Sequence, residues 1–207
     1  MKRNFAGLLV GCGLLAGCSG PSLIDDHRSP SPTPTTAETA PGGGGTDAAA
    51  FVFDSGVLEI GDFDPYTLGD NIFDPCTEIS PEEFAAAGFD NVEPMPEEYR
   101  GLARGLSVCD FSVSGEDDFD ISNMRLNRRQ IEHESTLLDE FKSEILPEIF
   151  VYGTRESNNN SCFAQVDTVR GGLSIGVVSL PGYSDLKADC MRALHALEQL
   201  YSTNNAH

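Results

Sequence analysis

The stretch CFAQVDTVRGGLSIGVVSL, Cys162–Leu180, decides the fold. Its two halves, Cys162–Arg170 and Leu173–Leu180, flank Gly171-Gly172, a two-residue loop suited to positive φ. That pattern predicts an antiparallel hairpin. Upstream, Leu106–Val113 alternates, with Cys109, Phe111 and Val113 on one face, and Phe119–Leu126 is its partner strand across a polar turn. Ile149–Tyr152 reads as a short strand. Phe51-Val52-Phe53 and Val57–Ile60, around Asp54-Ser55-Gly56, read as a further hairpin.

Helical signals separate these strands. After Cys76, Ser80 is a natural N-cap, Pro81 suits the first helical position and Glu83 completes a capping box. Phe84 to Ala87 continue that helix and Gly88 ends it. A second helix is expected over Arg128–Ile145, with Leu137, Leu138, Phe141 and Ile145 on one stripe and Pro147 stopping it. The last begins near Ser184 or Asp185, and Leu186, Cys190, Leu194, Leu197 and Tyr201 form its apolar side. The order implies a single α+β domain, an antiparallel sheet with about three helices packed on it. The two helix-then-hairpin units have the order expected of a degenerate duplication.

The N-terminal region carries a different signal. Lys2-Arg3 precede an apolar run from Phe5 to Leu15, and Leu15-Ala16-Gly17-Cys18 closes it. A basic start, a short apolar stretch and small residues make a secretory signal. The run falls short of the roughly 20 apolar residues of a spanning helix, and Ser19, Gly20 and Pro21 end it. The expectation is a lipoprotein signal peptide over residues 1–17, with Cys18 lipidated and then N-terminal. Cys12 leaves with the signal. The arrangement resembles a bacterial lipoprotein signal, and that resemblance implies a thioether-linked diacylglycerol and an amide-linked chain such as palmitate on Cys18, enough for stable anchoring at about 0.8 kcal/mol per buried methylene. The expected location is the extracytoplasmic face of the cell membrane.

Residues 18–50 read as the lipidated cysteine and a disordered tether. The stretch holds Pro21, Pro30, Pro32, Pro34, Pro41 and Gly42-Gly43-Gly44-Gly45. It buries too little apolar surface to offset chain entropy, and a coil of that length reaches roughly 30 Å. Residues 51–207 form the extracytoplasmic domain, a size that suits one core. The chain carries 13 Lys+Arg against 33 Asp+Glu, a net charge of −20. Nucleic-acid binding needs clustered positive charge, so that partner class is set aside. The same charge opposes contact with anionic headgroups, so the domain is expected to stand off the membrane.

Four cysteines remain: Cys76, Cys109, Cys162 and Cys190. An even number in an exported domain argues for two disulfides, and no pair has the CxxC spacing of a zinc or redox site. Three pairings are open from the count alone. Cys76 precedes a helix and Cys190 lies in the last one, while Cys109 and Cys162 both lie on strands. That favours Cys76–Cys190 and Cys109–Cys162.

Asp74-Pro75-Cys76 before a capped helix, Cys109 with Asp110-Phe111 in a strand, Cys162 opening another strand, and Cys190 in an Ala- and Leu-rich final helix form a set. Together with the Cys18 motif and the tether, they resemble the actinobacterial lipoproteins grouped as domain-of-unknown-function family 3558. The resemblance covers roughly Phe73–Tyr201. Phe111 stands where members often carry Trp, and this chain has none. The resemblance implies a compartment and an architecture, and no substrate.

Chemical motifs are sparse. Ser179 and Ser184 lack the Gly-x-Ser-x-Gly elbow. His27 lies in the tether and His207 is the last residue. His133 sits in Glu132-His133-Glu134, and His195 precedes Glu198 by one turn. A His-Glu-x-x-His helix is not found, so these read as solvated or packed histidines. Asp62-x-Asp64 starts like an EF-hand loop, but Pro65, Tyr66 and Leu68 break the pattern. Glu116-Asp117-Asp118, with Asp120, reads as a solvated turn that keeps a hairpin edge from associating. No catalytic residue, metal site or cofactor is assigned. The expected role is binding of an envelope protein or small ligand. The alternative is an envelope hydrolase or wall-modifying enzyme using dispersed carboxylates.

Overall fold

The computed structural model describes residues 49–153, 160–179 and 185–205. Cys18, the tether up to residue 48, His27, Ser184 and His207 lie outside the described residues.

β1 (Ala50–Phe53) and β2 (Gly56–Glu59) form the expected first hairpin, turning at Asp54-Ser55. Alternation sends Phe51, Phe53 and Leu58 inward and leaves Val52 and Val57 outside. An isolated bridge from Ile60 to Thr168 docks this hairpin on the main sheet.

Two short helices follow. α1 (Pro75–Glu78) is capped by Asp74, whose carboxylate accepts from Cys76 N at 3.0 Å. α2 (Pro81–Ala86) has the capping box that the sequence predicts. Ser80 Oγ accepts from Glu83 N at 3.3 Å, and Glu83 Oε2 accepts from Ser80 N at 2.8 Å. The chain leaves this helix through Gly88 at φ +77°.

The remaining elements are β3 (Phe89–Pro94), β4 (Val108–Val113), β5 (Glu116–Met124), α3 (Arg128–Glu134), β6 (Thr136–Leu137), β7 (Phe150–Gly153), β8 (Asn160–Thr168), β9 (Gly171–Ser179) and α4 (Leu186–Asn204). The seven strands from β3 to β9 make one antiparallel sheet in the order β3-β4-β5-β9-β8-β7-β6. It contains two meanders, β3-β4-β5 and β7-β8-β9, which meet where Phe119 pairs with Val177 and Met124 with Gly172. The fold is α+β, with four α-helices among the described residues where about three helices are expected.

One sheet face is the core. Cys109, Phe111, Phe119, Ile121, Val151, Cys162, Ala164, Val166, Leu173, Ile175 and Val177 all belong to it. α4 lies on this face with Cys190, Ala193, Leu194, Ala196, Leu197 and Leu200 buried. Fully burying a leucine contributes roughly 1.5–3 kcal/mol, so this helix anchors the domain. On the opposite face, α3 sets Ile131 on Phe150 and Tyr152 in a smaller cluster.

Three expectations are corrected. The β8–β9 turn is Val169-Arg170, because Thr168 pairs with Gly171. Gly171 still supplies positive φ, at +103°, and a Cβ there would meet Met124 O at 3.1 Å. The helix over Arg128–Ile145 stops at Glu134. Ser135 turns extended, Leu137 pairs with Tyr152, and Phe141 and Leu146 reach the core from turns, while Ile145 stays 55% exposed. Apolar residues in irregular chain mimicked a helical stripe.

The third concerns the disulfides. All four cysteines are paired, but as Cys76–Cys109 and Cys162–Cys190, not Cys76–Cys190 and Cys109–Cys162. The sheet order explains this. β4 and β8 are separated by β5 and β9, so at about 4.8 Å per strand Cys109 and Cys162 lie roughly 14 Å apart. Each bond instead ties the middle strand of a meander to the helix beside it, with Cα–Cα distances of 5.7 and 5.0 Å.

Candidate functional site

A cleft opens between the 62–66 turn and α3. Gly61 N donates to Asp167 O at 3.0 Å, which ties the start of this turn to β8. Asp64 then folds the turn: its Oδ1 accepts from Tyr66 N at 3.0 Å and its carbonyl from Thr67 N at 3.1 Å. Tyr66 is left 89% exposed. Across the cleft, Asn127 caps α3 by accepting from Gln130 N at 3.1 Å, while Gln130 Oε1 accepts from Asn127 N at 3.2 Å. Asn127 Nδ2 also donates to Phe63 O at 3.2 Å, joining the two walls. The cleft has a volume of about 680 Å³ and is lined by Asp62, Asp64, Tyr66, Arg129, Gln130 and His133, among others.

This arrangement unites features that the sequence treats separately. The broken EF-hand start, Asp62-x-Asp64, and the solvated His133 line one space. Among the described residues, no three His, Cys, Asp or Glu side chains converge as a metal site.

A second polar region lies on the face of the sheet opposite the core. Asp110 and Asp120 are direct cross-strand partners, a position that sets Cβ atoms about 4.5–5.5 Å apart. Asp120, expected in a solvated turn, instead lies within β5, between β4 and β9, and leans over Gly176. A Cβ on Gly176 would run into its carboxylate and approach the Phe163 ring to 2.9 Å. Burial, reinforced by the charge of Asp110, pushes the Asp120 carboxyl up to about 6. Burial also raises Asp110.

Beside this pair, the buried Tyr152 hydroxyl donates to Gln165 Oε1 at 3.2 Å, and burial drives the phenol above its ordinary pKa. Gln165 Nε2 donates to Leu126 O at 2.9 Å and Asp167 Oδ1 at 3.0 Å. Asp167 Oδ2 accepts from Arg128 N at 2.9 Å. Sequence reasoning passed over Tyr152, Gln165 and Asp167. The signal available was the alternation of Phe163, Gln165 and Asp167 with the apolar Cys162, Ala164 and Val166.

The other singled-out residues are dispersed. Glu116 pairs with Arg192 at 2.6 Å, and that guanidinium lies 4.6 Å from the Phe119 ring centroid. His195 is exposed on α4, and Ser179 is buried at the end of β9. Among the described residues, no helix is long and apolar enough to cross a membrane.

Comparison with known proteins adds one finding. The family model described as Protein of unknown function (DUF3558) matches residues 13–203. No curated protein and no solved structure matches the chain.

Proposed function

We propose that this chain, which belongs to the family described as Protein of unknown function (DUF3558), is a lipoprotein held at the extracytoplasmic face of the cell membrane. Its lipid is carried by Cys18, and its role is non-catalytic binding of a protein partner or small ligand. The observation that carries this reading is the agreement of two independent features on one compartment. Leu15-Ala16-Gly17-Cys18 follows an apolar run, and all four cysteines of the domain form disulfides. Disulfides persist in oxidising compartments outside the cytoplasm. The family match begins at residue 13 and so spans the Cys18 motif. The Pro- and Gly-rich tether gives the domain reach, and the cleft beside α3 offers it a binding surface.

Mass analysis of the N-terminal peptide of the mature protein tests the proposal. The expected peptide begins at Cys18 and carries a diacylglycerol and an acyl chain. A peptide beginning elsewhere, or an unmodified Cys18, contradicts it.

The facing pair Asp110 and Asp120 favours a second reading, an envelope hydrolase. A carboxyl raised to about 6 is suited to donate a proton near neutral pH. Release of soluble fragments from isolated cell wall, lost in Asp120→Asn, supports this reading. Equal release by native protein and variant, or none by either, rejects it.

A further inference from the structure

We propose that the cleft between the 62–66 turn and α3 binds a neutral polyhydroxylated ligand, a short glycan. The inference rests on the binding role proposed above and gives that role a ligand class.

Hydrogen-bonding capacity is the first argument. A sugar hydroxyl both donates and accepts, so its site needs both kinds of neighbour. The Asp62 carboxylate only accepts, the Arg129 guanidinium only donates, and the His133 imidazole offers one of each when neutral. Among the described residues, none of these three side chains has a hydrogen bond or ion pair within the protein. Their capacity faces the cleft instead of being spent on the fold.

Tyr66 supplies the second. Leaving an aromatic ring 89% exposed forgoes roughly 2 kcal/mol of burial. Its backbone is fixed by Pro65 and by the hydrogen bond to Asp64, so the ring is presented on a defined turn. The C–H face of a sugar ring is apolar and stacks on such a platform, while the sugar hydroxyls reach the polar wall. This division matches a cleft with one aromatic rim and one polar side.

Rigidity and charge complete the case. The Asn127 bond to Phe63 and the Asn127–Gln130 capping box hold the walls together, so binding orders little chain. Asp62 and Asp64 share the lining with Arg129, so both signs of charge are present, and a strongly charged ligand gains little. The volume of about 680 Å³ lies within the usual small-ligand range of about 300–1,000 Å³.

The test uses the full chain purified in detergent. Maltotriose, mannotriose and chitotriose are added separately, with trialanine as a zwitterionic peptide probe, and saturation-transfer NMR reports contact. At least one trisaccharide is expected to bind, with transfer concentrated on its ring C–H protons. Tyr66→Ala should weaken binding about tenfold, equivalent to roughly 1.4 kcal/mol, and Tyr66→Phe should restore it to within about threefold. Arg129→Gln should weaken it while leaving the melting temperature in place. Silence from all three trisaccharides, or equal binding by native protein and Tyr66→Ala, overturns the proposal. Tyr66-dependent binding of trialanine alone overturns the glycan assignment and leaves the binding role standing. Cleft binding with an unmodified Cys18 leaves the glycan site standing and removes the anchor.

Discussion

Arg170 and Glu78, 92 positions apart, form a two-pronged ion pair: Nη1 to Oε2 at 2.6 Å and Nη2 to Oε1 at 2.9 Å. The pair ties the β8–β9 turn to α1, and Arg170 Nε adds a bond to Asn71 O at 3.2 Å. The guanidinium also lies 5.4 Å from the Phe73 ring centroid. Position 170 therefore joins the second meander to the segment that enters the first.

Arg170→Met should cost about 1–3 kcal/mol, the range for a charge-assisted bidentate contact that is partly buried. Burial pushes Glu78 up, but the hydrogen bonds from Arg170 and from Asp74 N, with the charge of Arg170, outweigh it and hold the carboxyl below its ordinary value. A depressed folded pKa stabilises the protein above the unfolded pKa, and that contribution is lost as pH falls through the folded pKa. Thermal melts from about pH 2 to pH 7 should therefore show the penalty of Arg170→Met at neutral pH and its shrinkage at the acid end. A constant penalty across that range would sink the assignment.

Asp120 predicts the opposite slope. Its folded pKa is raised, to about 6, so its neutral form favours the fold below the unfolded value near 3.8. That advantage is lost as pH rises through about 6, at a rough ceiling of 3 kcal/mol. Asp120→Asn should raise the melting temperature at pH 7 and flatten its fall between about pH 4 and pH 7. An unchanged profile would place the titration elsewhere.

Non-reducing peptide mapping should recover Cys76 linked to Cys109 and Cys162 linked to Cys190. Each bond closes a loop of about thirty residues, worth roughly 3–4 kcal/mol in the chain-entropy model. Replacing both members of either pair with serine should lower stability by about that amount. A peptide linking Cys76 to Cys190 would contradict the sheet order as well as the pairing.

The disulfides also mark how far the sequence is legible. Local signals carry well: Ser80 and Glu83 make their capping box, Asp185 caps α4 through Lys187 N at 3.3 Å, and Gly88 ends α2. The segments flanking Gly171-Gly172 do form the two strands of a hairpin, β8 and β9. What fails is whatever depends on strand neighbours. The Cys76–Cys109 bond requires knowing that β4 lies beside α1 and that β5 and β9 part it from β8. The Leu137–Ile145 stripe has helical spacing, yet Leu137 is taken by the edge of β7. The cleft is equally hidden, because Asp62 and His133 line one space only in the folded chain, where Asn127 bonds to Phe63.

Leu197 tests the packing of α4. It is fully buried in the main core, and Leu197→Ala should cost about 2–5 kcal/mol, the range for a cavity that its surroundings fill poorly. Denaturant unfolding measures this directly. A loss under about 0.5 kcal/mol would mean that α4 does not lie on the sheet as described.

The most direct test of the account compares native protein with Cys18→Ala in detergent phase partitioning and membrane fractionation. Native protein should follow the membrane and the detergent phase. Cys18→Ala should be released to the aqueous fraction with the same melting temperature. Retention of Cys18→Ala on the membrane would contradict lipid anchoring through this residue.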